Sequence, residues 1–98
     1  MHKRLECTVH GRVQGVMYRD ATHRHAKNLA LTGFVQNQPD KTVRVVAEGE
    51  EATLREFLAR LWKGSLFSKV LRVEEKWSDA TGEFTDFQIR YRNFLDRL

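Results

Sequence analysis

Apolar and polar residues alternate from Leu5 to His10. Leu5, Cys7 and Val9 share one side, and Glu6, Thr8 and His10 the other. A period of two marks a half-buried strand, which predicts a first strand from about Leu5 to Gly11. The period then changes. Tyr18, Thr22, Ala26 and Leu29 are spaced by steps of four, four and three, one face of a helix from about Tyr18 to Leu29 or Ala30. Thr32 to Asn37, carrying Phe34 and Val35, reads as a second strand. Gln38-Pro39-Asp40-Lys41 is a turn with proline at its favoured second position. Thr42 to Glu48 follows as a third strand, with Val43, Val45 and Ala47 on one face and Arg44 and Glu48 on the other, so the two strands form a hairpin. Leu54, Phe57, Leu58, Leu61 and Trp62 make an amphipathic stripe on a second helix that opens at Gly49-Glu50-Glu51. That helix has Arg60 and Lys63 in its last turn and Gly64 as its cap. The stripe reads as core.

Residues 66–70 read as a connection, Leu71 to Trp77 as a fourth strand and Ser78 to Gly82 as a turn. Phe84 to Tyr91 reads as a fifth strand, with Phe87, Ile89 and Tyr91 pointing inward. The tail, 92–98, has apolar residues at Phe94, Leu95 and Leu98, and is expected to form a short helical turn packed on the body or on a second copy. The element order is β-α-β-β-α-β plus one strand. With right-handed crossovers, both helices cover one face of a mostly antiparallel sheet, which is the ferredoxin-like split βαβ sandwich of the α+β class. That architecture hosts many functions and selects none by itself.

Length and composition narrow the picture. The 98 residues suit one domain with one modest core, about residues 5–91, and 92–98 as an extension. The 41% hydrophobic and 31% charged content argues for a globular chain rather than a disordered one. No apolar run reaches the length of a membrane span, and the basic start Met1-His2-Lys3-Arg4 leads into an alternating strand, not a signal peptide. The single cysteine fits a reducing compartment, and Cys7 reads as a buried small hydrophobe. A net charge of +4 favours anionic partners, but the positive charges are scattered rather than gathered in a block. His23 and His25 are two apart and do not share a helix face, and His2 and His10 have no partner at ligand spacing. A metal site is therefore not expected.

The chemistry concentrates between the first strand and the first helix, in Gly11-Arg12-Val13-Gln14-Gly15-Val16-Met17-Tyr18-Arg19. Glycines let backbone N–H groups approach a ligand, and the first N–H groups of a helix lack internal partners and carry partial positive charge. Such a loop suits an anion, above all a phosphate. Arg19 points the same way: an arginine beside a positive helix end makes physical sense when an anion sits between them. The loop has neither the Gly-Lys-Ser/Thr ending of a P-loop nor the glycine spacing of a dinucleotide fingerprint, so a bare phosphoryl group fits it better than a nucleotide. A plain tight turn with a solvated Arg19 is the bland alternative.

These residues resemble the first signature of the acylphosphatase family. Gly33-Phe34-Val35-Gln36-Asn37, with Thr42-Val43 and Gly49, is similar to its second signature, and Phe87-Gln88-Ile89-Arg90-Tyr91 to its last strand. The resemblance spans about Leu5 to Tyr91. It implies hydrolysis of small acyl phosphates to a carboxylate and inorganic phosphate without metal or cofactor. It implies that Arg19 and the loop segment Gln14, Gly15, Val16, Met17, Tyr18 and Arg19 bind the phosphoryl group, and that Asn37 orients the attacking water. Gln14 has a second reading as a brace of the loop, and Asn37 as a local cap at a strand end. A cytoplasmic monomer that binds neither membrane nor nucleic acid is expected. Two glycines usual in the family are replaced here: at Ala30 the helix cap is expected to differ, and at Lys41 either a side chain at positive φ costs roughly 1 kcal/mol or more, or the Pro39 turn takes a different shape.

Three other readings compete. One is a carbamoyl-phosphate-handling domain like that of hydrogenase maturation proteins, which occurs in much longer chains. Another is a catalytically idle relative that only binds phosphate. The third is an RNA-recognition module, which would display stacking aromatics on its central strands; the third strand, Thr42 to Ala47, has none.

Overall fold

The structure is a computed structural model and describes residues 1–93 and Asp96. The elements run β1 (His2–Arg12), α1 (Tyr18–Asn28), β2 (Thr32–Asn37), β3 (Val43–Glu50), α2 (Glu51–Lys63), β4 (Lys69–Asp79) and β5 (Phe87–Arg90). The sheet order is β4-β1-β3-β2-β5. β1 pairs antiparallel with β3 and β4, β2 antiparallel with β3, and β5 parallel with β2. This is the ferredoxin-like α+β sandwich that the element order implied. The strands β1 and β4 extend further than the hydrophobic pattern indicated, because their ends are held by ladder hydrogen bonds that need no apolar side chain. β5 is shorter, four residues rather than eight.

One core lies between the sheet and the helices. Leu5, Cys7 and Val9 of β1, Val35 of β2, Val43, Val45 and Ala47 of β3, Val73 of β4 and Phe87 of β5 face Tyr18 and Ala26 of α1 and Leu54, Phe57 and Leu61 of α2. The Tyr18 hydroxyl donates to the Leu61 carbonyl at 2.8 Å, tying the two helices together at the start of α1. Burial pushes the Cys7 thiol up to about 12, in keeping with a small core hydrophobe rather than a nucleophile. At Gly33, where φ is 140°, a Cβ would meet the Val46 carbonyl oxygen, so β2 and β3 can lie this close only with glycine there. No helix among the described residues is long and apolar enough to cross a membrane.

Two expectations need correction. The expected buried stripe of α2 includes Trp62, but this side chain is 45% exposed; the burial of α2 ends with Leu61. Glu48 was assigned to the outward face of β3, and so it is, but that face is covered. The segment 81–84 folds back over it, leaving Glu48, Val46 and Phe34 buried, with Phe84 edge-on to Phe34 at 5.9 Å. The expected tail contacts of Phe94, Leu95 and Leu98 lie outside the described residues.

Candidate active site

The loop from β1 to α1 has the backbone of an anion cradle. Gly15 has φ 72° and Met17, the residue that precedes the helix, has φ 61°, so two left-handed residues alternate with right-handed or extended ones. That alternation turns successive N–H groups toward one concave side. Among the described residues, no group accepts a hydrogen bond from the backbone N–H of Gln14, Gly15, Val16, Met17, Tyr18 or Arg19, and α1 has no side-chain cap. Most helix starts satisfy such donors with Ser, Thr, Asp or Asn. This one leaves them open.

The loop is held from both sides. The Ser65 hydroxyl donates to the Val16 carbonyl at 2.8 Å, from the connection after α2. The Gln14 amide donates to the carbonyls of Gln38 and Thr42, both at 2.9 Å. Gln14 thus fixes the loop against the β2–β3 turn, which carries Asn37 at its edge.

Asn37 is the last residue of β2. It shares the parity of Gly33 and Val35 and pairs with Val43, so its side chain lies on the helix side of the sheet. Arg19 stands in the first turn of α1, and its guanidinium packs over the Tyr91 ring at 5.1 Å. Arg19, Asn37, Gln14, Gly15 and Lys41 line one cleft of about 560 Å³, together with Arg92, Asn93 and Asp96. Candidates 18 positions apart in sequence therefore meet in one concavity. The positive φ of Lys41, 73°, and of Ala30, 56°, shows that both turns keep the left-handed backbone that glycine adopts freely.

Two features of the cleft ask for a ligand. The Asn37 Oδ1 is buried without a hydrogen-bond partner, the one such side-chain atom among the described residues. A buried acceptor left unpaired costs about 1–3 kcal/mol, so its position is set by something other than folding. The second feature is Asp96. Its Oδ2 accepts from Arg19 Nη1 at 3.0 Å, and its Oδ1 accepts from Asn37 Nδ2 at 3.3 Å. One carboxylate thus spans the two residues singled out on the sequence. Burial alone would raise the Asp96 carboxyl, but the Arg92 N–H, the Arg19 charge and the Asn37 amide outweigh it and hold it below the usual carboxylate range.

Neither Tyr91 as a platform for Arg19 nor Asp96 as its partner was found in the sequence. Tyr91 carried a signal, since it continues the inward alternation of Phe87 and Ile89 past the strand end. Asp96 carried none.

The fold and this cleft define a small α+β domain of the split βαβ class with a concave site at the start of its first helix. The acylphosphatase family model matches residues 5–89. An acylphosphatase of Dehalococcoides mccartyi is 43% identical over 88 residues, which is 89% of this chain and 97% of that protein. The crystal structure of acylphosphatase from Bacillus subtilis superposes with a TM-score of 0.88 at 35% identity, covering 91% of this chain and 99% of that one. HypF of T. kodakarensis gives a TM-score of 0.81 at 28% identity, over 93% of this chain but 12% of that one. The chain belongs to the acylphosphatase family and is an enzyme of that family.

Proposed function

We propose that this acylphosphatase binds the phosphoryl group of a small acyl phosphate with Arg19 and the N–H groups of residues 14–19, and that Asn37 positions the water that attacks phosphorus. The observation that carries this reading is the unpaired, buried Asn37 Oδ1 beside a guanidinium already bound to an anion. A water in the cleft supplies the missing donor. Its hydrogen to Oδ1 leaves a lone pair free to face phosphorus.

In the reaction the water oxygen forms a bond to phosphorus and the bond from phosphorus to the acyl oxygen breaks. The bonding pair leaves with a carboxylate, which is stable without protonation. The proton lost by the water passes to a phosphoryl oxygen and departs with inorganic phosphate. Negative charge spread over the equatorial oxygens meets the forked donors of Arg19 and the fixed loop amides, which are already aimed before substrate arrives. Tyr91 under the guanidinium and Gln14 under the loop hold these donors in place, so little reorganisation accompanies the step. The working unit is one catalytic domain with 92–98 as an extension, acting as a cytoplasmic monomer on free small molecules.

Purified protein incubated with benzoyl phosphate, with and without a chelator, tests this directly. Release of phosphate at equal rates in both arms supports the reading. Release that vanishes with chelator, or no release from benzoyl or acetyl phosphate, removes it.

A further inference from the structure

We propose that Asp96 is an internal competitor for the phosphoryl site: its carboxylate occupies the place of the substrate anion and must leave before substrate binds. The proposal rests on the site assignment above and adds to it a regulated occupancy. Asp96 uses the guanidinium that the proposed mechanism gives to the phosphoryl group, and the side-chain amide that it gives to the attacking water. Arg19 Nη1 reaches its Oδ2 at 3.0 Å, Arg19 Nη2 reaches its backbone carbonyl at 3.1 Å, and Asn37 Nδ2 reaches its Oδ1 at 3.3 Å. Its side chain is 5% exposed, deep in the cleft rather than at its rim.

Arg92 and Asn93 hold this carboxylate in place. The Asp96 N–H donates to both the Asn93 carbonyl, at 3.2 Å, and the Asn93 Oδ1, at 3.1 Å. The Arg92 N–H donates to Asp96 Oδ2 at 3.0 Å. Arg92, Asn93 and Asp96 are thus stitched together by hydrogen bonds of their own. A phosphoryl group and this carboxylate compete for Arg19, since two anions at contact distance repel and Asp96 already takes a donor from each of its terminal nitrogens. The seat is nevertheless incomplete. Asp96 leaves the Asn37 Oδ1 unpaired, and a planar carboxylate offers fewer acceptors to the loop amides than a tetrahedral phosphate does. Substrate therefore binds the cradle better than the tail does and displaces it.

An internal ligand that fills the site lowers apparent affinity by the fraction of molecules with the tail withdrawn. If the inserted form outnumbers the open one by roughly ten to one, removing the carboxylate tightens binding about tenfold. The variants are Asp96→Ala, which removes the anion, and Asp96→Asn, which keeps its shape without its charge, both in the full chain. Two readouts are needed: KM and kcat for benzoyl phosphate, and the Kd of inorganic phosphate from the amide NMR shifts of Gly15 and Arg19. The expected result is a fall of about tenfold in both KM and phosphate Kd for Asp96→Ala, most of that fall in Asp96→Asn, and unchanged kcat. Unchanged KM and Kd would overturn the proposal, and so would a loss of kcat at constant KM, which would make Asp96 a participant in turnover. Should the protein prove inactive on acyl phosphates while Asp96→Ala still tightens phosphate binding, the competitor stands and the proposed reaction falls.

Discussion

Glu48 and Asp96 both pair with arginines through side chains that are nearly out of solvent, and they differ in what surrounds them. Glu48, 4% exposed, accepts from Arg4 at 3.1 Å, from the Thr81 N–H and hydroxyl at 3.0 and 2.9 Å, and from the Gly82 N–H at 3.0 Å. Both of its oxygens are used, and its partners come from β1 and from the segment that covers the outer face. Asp96 is as deeply placed, but its neighbourhood has unfinished business: an orphan acceptor on Asn37 and loop amides with no partner among the described residues. A completed set of hydrogen bonds marks a structural pair, which is costly to break. An incomplete set around a charged residue marks a place prepared for another molecule. Burial and an ion pair are common to both; satisfaction separates them.

The largest effects should come from the unfinished site. Arg19→Ala is expected to lower kcat/KM for benzoyl phosphate on the order of 10³-fold and to weaken phosphate binding as well. Asn37→Ala is expected to lower kcat on the order of 10²-fold while phosphate Kd changes less than tenfold. Equal losses of binding and turnover in the Asn37 variant would assign it to bracing the loop. Both should melt close to the wild type.

The completed pair should behave in the opposite way. Glu48→Ala leaves Arg4 and the N–H groups of Thr81 and Gly82 without their acceptor, and should destabilise the fold by about 3 kcal/mol in denaturant titration, with little change in kcat at low temperature. If kcat falls with stability unchanged, the distinction between the two carboxylates fails.

The same carboxylate sets an acid limit. Burial alone would raise the Glu48 carboxyl, but the N–H groups of Thr81 and Gly82, the Thr81 hydroxyl and Arg4 together hold it below its ordinary value. A depressed folded pKa means that Glu48 contributes stability at neutral pH. That contribution is lost as pH falls from the ordinary carboxylate range down through the lower folded value. Melting temperature measured against pH should therefore drop less steeply on the acid side in Glu48→Ala than in the wild type.

The smallest effects concern the two left-handed residues without glycine. Ala30→Gly and Lys41→Gly relieve positive-φ strain but add freedom to the unfolded chain, for a net gain of roughly 0.5 kcal/mol each in denaturant titration. Ala30 is remote from the cleft and should leave KM unchanged. Lys41 lines it, and loss of its charge should raise KM severalfold.

Much of this molecule was readable along the chain because the relevant physics is local. The period of two in Leu5–Val9 and the four-three spacing of Tyr18, Thr22, Ala26 and Leu29 follow from backbone geometry, and they located a strand and a helix. Glycines beside a helix start, with an arginine where an acid is usual, singled out the loop of the proposed phosphoryl site. The strand that ends at Asn37 followed from the turn after it. Three-dimensional closure decided the rest. Trp62 continues an apolar stripe yet stays half in solvent, because periodicity reports the face of a helix but not where the sheet beneath it ends. Glu48 sits on a polar strand face and is buried, because the segment that covers it arrives from 33 positions away. Asp96 reaches Arg19 across 77 positions, and no spacing rule links an acid in a tail to a cation in a loop. The sequence by itself determined the elements and the glycine-containing loop at the start of the first helix, since each depends on neighbours within a turn or two. Only the folded chain decided which carboxylate sits among completed hydrogen bonds and which lies beside the unpaired Asn37 Oδ1, since that depends on partners whose separation in sequence is erased by folding.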